Sequence, residues 1–304
     1  MPSSRIPLSR VMVVVVAMAL VAGLGVAIAT SREGTDNGSS TTPTMAVAHP
    51  VAQLPKYVAM GSSFASGPSS NKRGVSNCGR SDDNYPNRVA EALHMRLTDA
   101  TCAGSTSSEI LSPSKRYHKP AQINSVTPDT SLVTITTGGN DVGYIGRLAV
   151  QSCINLTYSG VSSPHCNAAR LPSAAPVPAD FVKVEHNLEE IAREVRRRAP
   201  KARVVFVDYL PVVSVADVVC PNLPLAPWEV VEASFVADTL AGATAQAARA
   251  TGSTLVQASQ AGKAHTVCSP DPWLQGFPGK PPYHPTTSGK AGVAALVVSA
   301  LRPR

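Results

Sequence analysis

The sequence has little charge, few aromatic residues, and no pair of cysteines spaced like a metal site. Charged residues make up 15% of the 304 positions and aromatic residues 5%, against 43% hydrophobic residues. This balance excludes a largely disordered chain and is typical of a globular protein with a sizeable core. The scarcity of aromatic side chains argues against a broad stacking platform for sugars. We find no internal repeat and no second folded domain in the pattern.

The basic residues of the chain are not distributed as in a nucleic-acid-binding surface. The net charge is +7, and no run of Lys and Arg interleaved with aromatic residues accompanies it. The densest cluster, Arg193 and 196–198, falls late in an amphipathic segment, where cations complement the C-terminal end of a helix. We therefore expect no nucleic-acid partner, and only a mild attraction to a membrane or to cell-wall polymer.

The N-terminus predicts export. Arg5 and Arg10 precede an uncharged apolar stretch, residues 11–29, that ends in Ala-Ile-Ala. This is the pattern of a signal peptide, and the stretch is also about long enough for an uncleaved membrane anchor. We favour cleavage. Residues 1–29 are thus the leader, 30–54 a disordered polar linker and 55–304 the folded domain, which is secreted or associated with the cell envelope.

The six cysteines all lie in the predicted domain and indicate disulfides. None has the two-residue spacing of a zinc or redox motif, so we expect no metal. Six cysteines in an exported chain allow fifteen pairings. Nearest-neighbour pairing is the simplest hypothesis: Cys78–Cys102, Cys153–Cys166 and Cys220–Cys268.

Apolar segments of strand length alternate with segments of helical periodicity. This alternation predicts an α/β fold with a mainly parallel sheet covered by helices on both faces. We expect loops at 143–178 and 211–228. The predicted strands are 56–60, 131–136, 202–208 and 253–257, and the predicted helices are 84–96, 179–199, 228–250 and a last one from Thr286 or Thr287 to Leu301.

Glycine, serine and asparagine gather where strand-like segments stop. The segments are 61–67, with Ser62 and Ser63, then 102–106 with Gly104, and 138–141 with Asn140. In parallel sheets ligands bind beyond the carboxyl ends of strands. Glycine lets the backbone approach a ligand, and an Asn amide can donate to an oxyanion. Either serine could serve as a nucleophile.

A serine nucleophile needs a base, and His284 is the best candidate. It precedes Pro285 in the loop that leads into the last predicted helix. Histidine has a pKa close to neutral for this work. His265 is the least implausible substitute among the other histidines.

The order of these four elements resembles the SGNH, or GDSL-type, ester hydrolase family over residues 56–301. The resemblance implies a three-layer α/β/α sandwich like flavodoxin, with Ser63 as nucleophile and His284 as general base. It implies an oxyanion hole made of the backbone N–H groups of Ser63 and Gly104 and the side-chain amide of Asn140, and it implies no cofactor. The opening Tyr-Val-Ala-Met-Gly and the three cysteine pairs look most like the secreted actinobacterial branch.

The sequence departs from the family pattern at two positions. Ser62 stands where the family usually has Asp before the nucleophile. The resemblance therefore implies that Ser62, although a serine, is not the nucleophile. Pro281 stands where the family has the Asp that orients the histidine. The resembled branch is known for a Ser-His dyad, so we expect the backbone carbonyl of Pro281 to orient His284, with Asp271 as the alternative.

These residues predict a monomeric esterase or lipase that cleaves carboxylic esters through an acyl-enzyme on Ser63. Short acyl esters, lipid acyl chains and acetyl groups on sugars all remain open as substrates. Trp273 and Phe277 are candidates for lining an acyl groove. The alternatives are a catalytically silent surface binding protein on the same fold and an acyltransferase with the same site.

Overall fold

The computed structural model describes residues 53–69, 77–166, 174–214 and 220–302. The predicted leader, 1–29, lies outside these residues, and so does the linker 30–54 except for its last two positions. Within the described part of the chain, no helix is both long and apolar enough to cross a membrane.

A five-stranded parallel sheet forms the centre of the domain, as the sequence predicts. The strand order is β2-β1-β3-β4-β5. Central strands of a parallel sheet are covered on both faces and need continuous apolar runs, and every residue of β1 is buried. The strands are β1 (Lys56–Gly61), β2 (Arg96–Asp99), β3 (Thr130–Thr136), β4 (Arg203–Val207) and β5 (Thr254–Val256).

Four helices pack in two pairs: α2 (Tyr85–Ala92) with α8 (Thr287–Leu301), and α5 (Pro178–Arg198) with α6 (Pro227–Ala250). Successive connections move outwards from β1 in one direction and from β3 in the other, so right-handed crossovers place the two pairs on opposite faces of the sheet. The predicted three-layer architecture is confirmed. The helices are α1 (Ser63–Ser66), α2 (Tyr85–Ala92), α3 (Ser108–Leu111), α4 (Tyr144–Tyr158), α5 (Pro178–Arg198), α6 (Pro227–Ala250), α7 (Ala258–Ala261) and α8 (Thr287–Leu301).

Two predictions of local structure are wrong. The helix predicted over 84–96 ends at Ala92, because His94 has a φ of 50° and the chain then enters β2. The loop predicted over 143–178 begins with α4, whose buried side chains Tyr144, Leu148 and Ser152 are spaced four apart. A spacing of four residues between apolar positions indicates a helix, but the segment also contains two glycines, which are typical of loops.

The basic cluster lies at the C-terminal end of α5, as the sequence predicts, and three of its cations are paired on the same helix. Arg197 and Arg198 form ion pairs with Glu194 at 2.6 Å, and Arg193 pairs with Glu189 and Glu190. Pairs of this kind on one helix satisfy the cations locally.

The crevice of the sheet lies beyond the carboxyl ends of β1 and β3. These neighbouring strands are the point where the winding direction reverses, and ligands of open α/β sheets bind at this point. Ser63 follows β1 and Asn140 follows β3, so the fold brings both to this edge.

Candidate active site

The end of β1 is built around a glycine that no other residue can replace. Gly61 has a φ of 142°, and a Cβ added there would lie 2.2 Å from the carbonyl oxygen of Thr136. This close approach lets the backbone N–H of Ser62 donate to that carbonyl at 2.9 Å. The chain then turns at once into α1, which starts at Ser63.

The two adjacent serines have different surroundings. Ser62 is fully buried, and its hydroxyl is 2.6 Å from the hydroxyl of Tyr209. Ser63 is 7% exposed and stands in the first turn of α1. Ser62 therefore has a structural bond, and Ser63 is the serine that can meet a ligand.

Tyr209 joins the ends of three strands, and the sequence analysis missed it. Its hydroxyl bonds Ser62 and the backbone of Gly139, and its ring packs on Phe64 with centroids 4.6 Å apart. Burial raises the pKa of Tyr209 well above its ordinary value, so the hydroxyl stays protonated. Its position directly beyond β4, at the same sheet edge, was the signal that could have found it.

The loop that carries Gly104 is fixed to the end of β1. The N–H of Cys102 donates to the carbonyl of Gly61 at 2.9 Å, and that of Ala103 donates to the carbonyl of Cys78 at 2.8 Å. The Cys78–Cys102 disulfide closes the same segment. Gly104 has a φ of 84°, a conformation that favours glycine.

Asn140 and Asp141 tie the loop after β3 to the Gly104 loop. The Asn140 amide donates to the carbonyl of Ser105 at 2.9 Å, and an Asn amide has a second N–H left for a ligand. The Asp141 carboxylate accepts from the N–H of Ser107 at 2.9 Å and from its hydroxyl at 2.6 Å. These are the contacts expected of a residue that orders this loop. Burial raises the pKa of Asp141.

His284 is oriented by a backbone carbonyl, but by that of Pro282 and not that of Pro281. The ring Nδ1 lies 2.7 Å from the Pro282 carbonyl oxygen. The prediction of Pro281 is wrong because the chain bends sharply at Tyr283, where φ is 59°, and brings the preceding carbonyl back to the ring. A carbonyl can only accept, so Nδ1 carries the proton and Nε2 is left as the basic nitrogen.

The bend before His284 is held by packing and hydrogen bonds. Tyr283 is fully buried and its hydroxyl is 2.6 Å from that of Ser152 on α4. The imidazole packs beside Phe64, the residue after Ser63, with ring centroids 5.7 Å apart. In the described chain no hydrogen bond joins the Ser63 hydroxyl to His284. Such bonds in unliganded enzymes often form only when substrate binds.

The alternative acid, Asp271, belongs to a different histidine. Its backbone carbonyl is 2.8 Å from Nδ1 of His265, and its carboxylate is 3.5 Å from the same atom. The His265 ring stacks on Trp273 at 4.2 Å. The structure therefore pairs Asp271 with His265 and leaves His284 without a carboxylate from this loop.

Trp273 and Phe277, the two candidates for lining an acyl groove, pack against other residues of the domain. Phe277 is 2% exposed and packs on Tyr283, so it does not line a groove. Trp273 stacks on His265 and lies against Gly289 and Gly292 of α8, close enough that a Cβ at either glycine would clash.

The environment of His284 favours the neutral ring. Burial lowers the pKa of His284 to about 4, with a smaller lowering from the positive charge of Lys290 and an opposing rise from the Pro282 carbonyl. Lys290 is itself buried on α8 and donates to Asp83 at 2.8 Å. His284 is therefore a free base at neutral pH.

The three disulfides have the predicted nearest-neighbour pairing: Cys78–Cys102, Cys153–Cys166 and Cys220–Cys268. Among the described residues, no group of three His, Cys, Asp or Glu side chains is arranged to hold a metal ion.

Comparison with known proteins identifies the family of the chain. A sequence model of the GDSL-like Lipase/Acylhydrolase family matches residues 59–291. Lipase 2 of Streptomyces coelicolor is 29% identical over 97% of this chain and 97% of its own length, and a lipase of Streptomyces rimosus is 28% identical over 81% and 86%.

Solved structures show the same fold. The crystal structure of an extracellular lipase from Streptomyces rimosus has a TM-score of 0.60 and 26% identity, covering 81% of this chain and all of that one. Phospholipase A1 from Streptomyces albidoflavus NA297 has a TM-score of 0.61 and 24% identity, covering 81% and 99%. The chain belongs to the GDSL-like lipase/acylhydrolase family of carboxylic ester hydrolases.

Proposed function

We propose that the chain hydrolyses carboxylic esters through an acyl-enzyme on Ser63. Nε2 of His284 takes the hydroxyl proton as Ser63 attacks the ester carbonyl, and returns it to the leaving alcohol. Water, deprotonated by the same nitrogen, then attacks the acyl carbonyl; the bond to the Ser63 oxygen breaks, the acid is released and the proton passes from His284 to Ser63. Three contacts near the β1/β3 edge support the proposal: the Gly104 loop bonds Gly61, the Asn140 amide bonds the same loop at Ser105, and the His284 ring packs beside Phe64, the residue after Ser63.

The negative charge that develops on the carbonyl oxygen would be held by three donors. They are the backbone N–H groups of Ser63 and Gly104 and the second amide N–H of Asn140. Donors fixed before the reaction lower the barrier because they need no reorganisation, and one such donor contributes about 3 kcal/mol. The bonds that fix Asn140 to Ser105, and Asp141 to Ser107, support this preorganisation.

In this proposal Ser63 and His284 work as a dyad, without a carboxylate as a third member. The Pro282 carbonyl sets the tautomer of His284 but carries no full charge, so the imidazolium is stabilised less than by a carboxylate. A neutral partner is compatible with the lowered pKa of His284, because no carboxylate among the described residues bonds the ring and holds a proton there.

We further propose that the protein is exported and acts as a monomer on small-molecule or lipid esters. Three disulfides suit an oxidising compartment, and the Streptomyces rimosus relative of known structure is an extracellular lipase. An apolar leader precedes the domain in sequence.

Hydrolysis of p-nitrophenyl esters of increasing chain length tests the proposal. Ser63→Ala and His284→Ala should each lower kcat/KM by at least about 10³-fold, because each removes a member of the covalent relay. Ser62→Ala is the matched control and should retain most activity. A Ser63→Ala variant with the wild-type rate would refute the proposal.

A further inference from the structure

A basic loop, residues 114–119, lies beside the Gly104 segment. Its sequence, Ser-Lys-Arg-Tyr-His-Lys, holds Lys115, Arg116 and Lys119 and no acidic residue. The N–H of Ser114 donates to the carbonyl of Lys119 at 2.9 Å and closes the loop, and the Ser114 hydroxyl donates to Glu109 at 2.6 Å. The loop is therefore a defined turn attached to α3.

Arg116 extends from this loop over Gly104. Its Nη1 lies 2.9 Å from the position that a Cβ on Gly104 would take. The neighbouring Tyr117 donates its hydroxyl to the carbonyl of Ala103 at 2.7 Å, and the guanidinium lies over the Tyr117 ring at 5.2 Å. Tyr117 thus anchors the loop on the proposed oxyanion segment and supports the guanidinium there.

The Arg116 guanidinium has no carboxylate partner in the part of the chain that the structure describes. The side chain is exposed, and no described Asp or Glu oxygen lies within 4 Å of it. Arg147 and Arg198, by contrast, pair with Glu232 and Glu194. The N–H donors of Arg116 are therefore available to a ligand at the edge of the proposed site.

We propose that Arg116 binds an anionic oxygen group, phosphate or carboxylate, carried by the ester substrate within a few bonds of the scissile carbonyl. The inference rests on the proposed function, because it places the carbonyl oxygen at the Gly104 N–H. A guanidinium presents parallel N–H donors that match two oxygens of such a group. Arg116 is thus a specificity residue that selects anionic over neutral esters.

Matched soluble substrates test this. A short-chain diacylglycerol is compared with the same molecule carrying a phosphate on its free hydroxyl and with its hemisuccinate. In Arg116→Gln, the ratio of kcat/KM for the anionic over the neutral ester should fall about 10- to 100-fold, mainly through KM, as expected for losing a charge-assisted hydrogen bond. Lys115→Gln, with the same charge change one residue away, should leave the ratio unchanged.

The three esters distinguish the possible roles of Arg116. A fall for the phosphate ester alone assigns phosphate, and a fall for both anionic esters assigns a general anion site. An unchanged ratio, including an equal loss on all three esters, overturns the inference and leaves Arg116 as a support of the Gly104 loop. If wild type hydrolyses none of the esters and Ser63 does not react with a fluorophosphonate, the proposed function fails together with the inference.

Discussion

His284, the proposed base, and His265, the other candidate, differ in the groups that contact Nδ1 of the ring. Among the described residues, Nδ1 of His284 contacts the Pro282 carbonyl and no carboxylate, whereas Nδ1 of His265 contacts both the carbonyl and the carboxylate of Asp271. A neutral acceptor fixes the tautomer and raises the pKa less than a carboxylate would. Three predictions for single residues follow from this difference.

The pH dependence of catalysis should follow the lowered pKa of His284. The ring is basic only when unprotonated, and burial lowers its pKa from the ordinary 6.5 to about 4. The kcat/KM of wild type should therefore stay nearly constant from neutral pH down to about pH 5 and fall as pH approaches 4. A profile that falls with a midpoint at or above 6.5 would contradict the environment described for His284.

The same shift predicts the effect of pH on folding. Below pH 6.5 an unfolded His284 takes up a proton that the folded protein resists until about pH 4. The unfolded state then binds more protons, so this residue makes stability decrease as pH falls through that interval.

Asp271→Asn should leave most ester hydrolysis intact. Its carboxylate faces His265 and not His284, so removing its charge changes neither the tautomer nor the basicity of the proposed base. Steady-state kinetics on a p-nitrophenyl ester measure this. A loss of several orders of magnitude would show that a side-chain acid acts on His284 after all.

Hydrophobic patterns in the sequence predicted that Ser62, Ser63, Gly104 and Asn140 follow strand-like segments and that His284 precedes a helix. The resemblance to the family then assigned the roles of Ser63, Gly104, Asn140 and His284. The Pro282 carbonyl was missed because a backbone oxygen has no sequence signature. Its direction depends on the positive φ of Tyr283, a conformation that a tyrosine rarely adopts.

At the scale of elements, the proposed site depends on the bond between two loops. Asp141, beyond β3, holds Ser107 at the start of α3, and Asn187 of α5 also donates to the Ser107 hydroxyl at 2.8 Å. This small network sets the distance between Gly104 and Asn140, which belong to different strand ends. Its loss should affect both catalysis and folding.

Asp141→Asn should lower kcat by about 10-fold or more, because an amide cannot accept both Ser107 bonds and lets the two loops separate. The expected loss of unfolding free energy is about 1–3 kcal/mol. Ser107→Ala is the matched control, since it keeps the backbone bond and should cost less. Urea unfolding and esterase kinetics measure both effects, and a full-rate Asp141→Asn variant would be the contrary result.

Element boundaries were predicted best where the chain has clear stop and start signals. α5 and α6 both begin at a proline, and their apolar residues recur at helical spacing over the whole helix. Thr286 caps α8 by accepting from the Gly289 N–H at 3.0 Å. α4 lacks such a cap, since it starts after the left-handed Gly143. β2 is short and half-buried, and only its pairing with β1 makes it a strand.

For the whole molecule, the strand order β2-β1-β3-β4-β5 is that of the flavodoxin-like fold, which the family resemblance implied and the strand pattern alone did not. The disulfides then connect segments distant in sequence. The Cys220–Cys268 bond spans 48 positions and Cys153–Cys166 spans 13. A crosslink stabilises a fold by restricting the unfolded chain, more so for a longer loop.

Replacing both Cys220 and Cys268 with Ser should lower the free energy of unfolding by about 4 kcal/mol, against about 3 kcal/mol for the Cys153 and Cys166 pair. Urea unfolding of the oxidised double variants measures both values. The opposite ranking would show that local packing, and not loop entropy, decides their contributions.

The central claim is that Ser63 forms the acyl-enzyme, and covalent labelling tests it most directly. Wild type, Ser63→Ala and Ser62→Ala are treated with a fluorophosphonate, and the modified peptide is identified by mass spectrometry. We predict one adduct on Ser63 in wild type and in Ser62→Ala, and none in Ser63→Ala. An adduct on Ser62, or undiminished labelling of Ser63→Ala, would contradict the account.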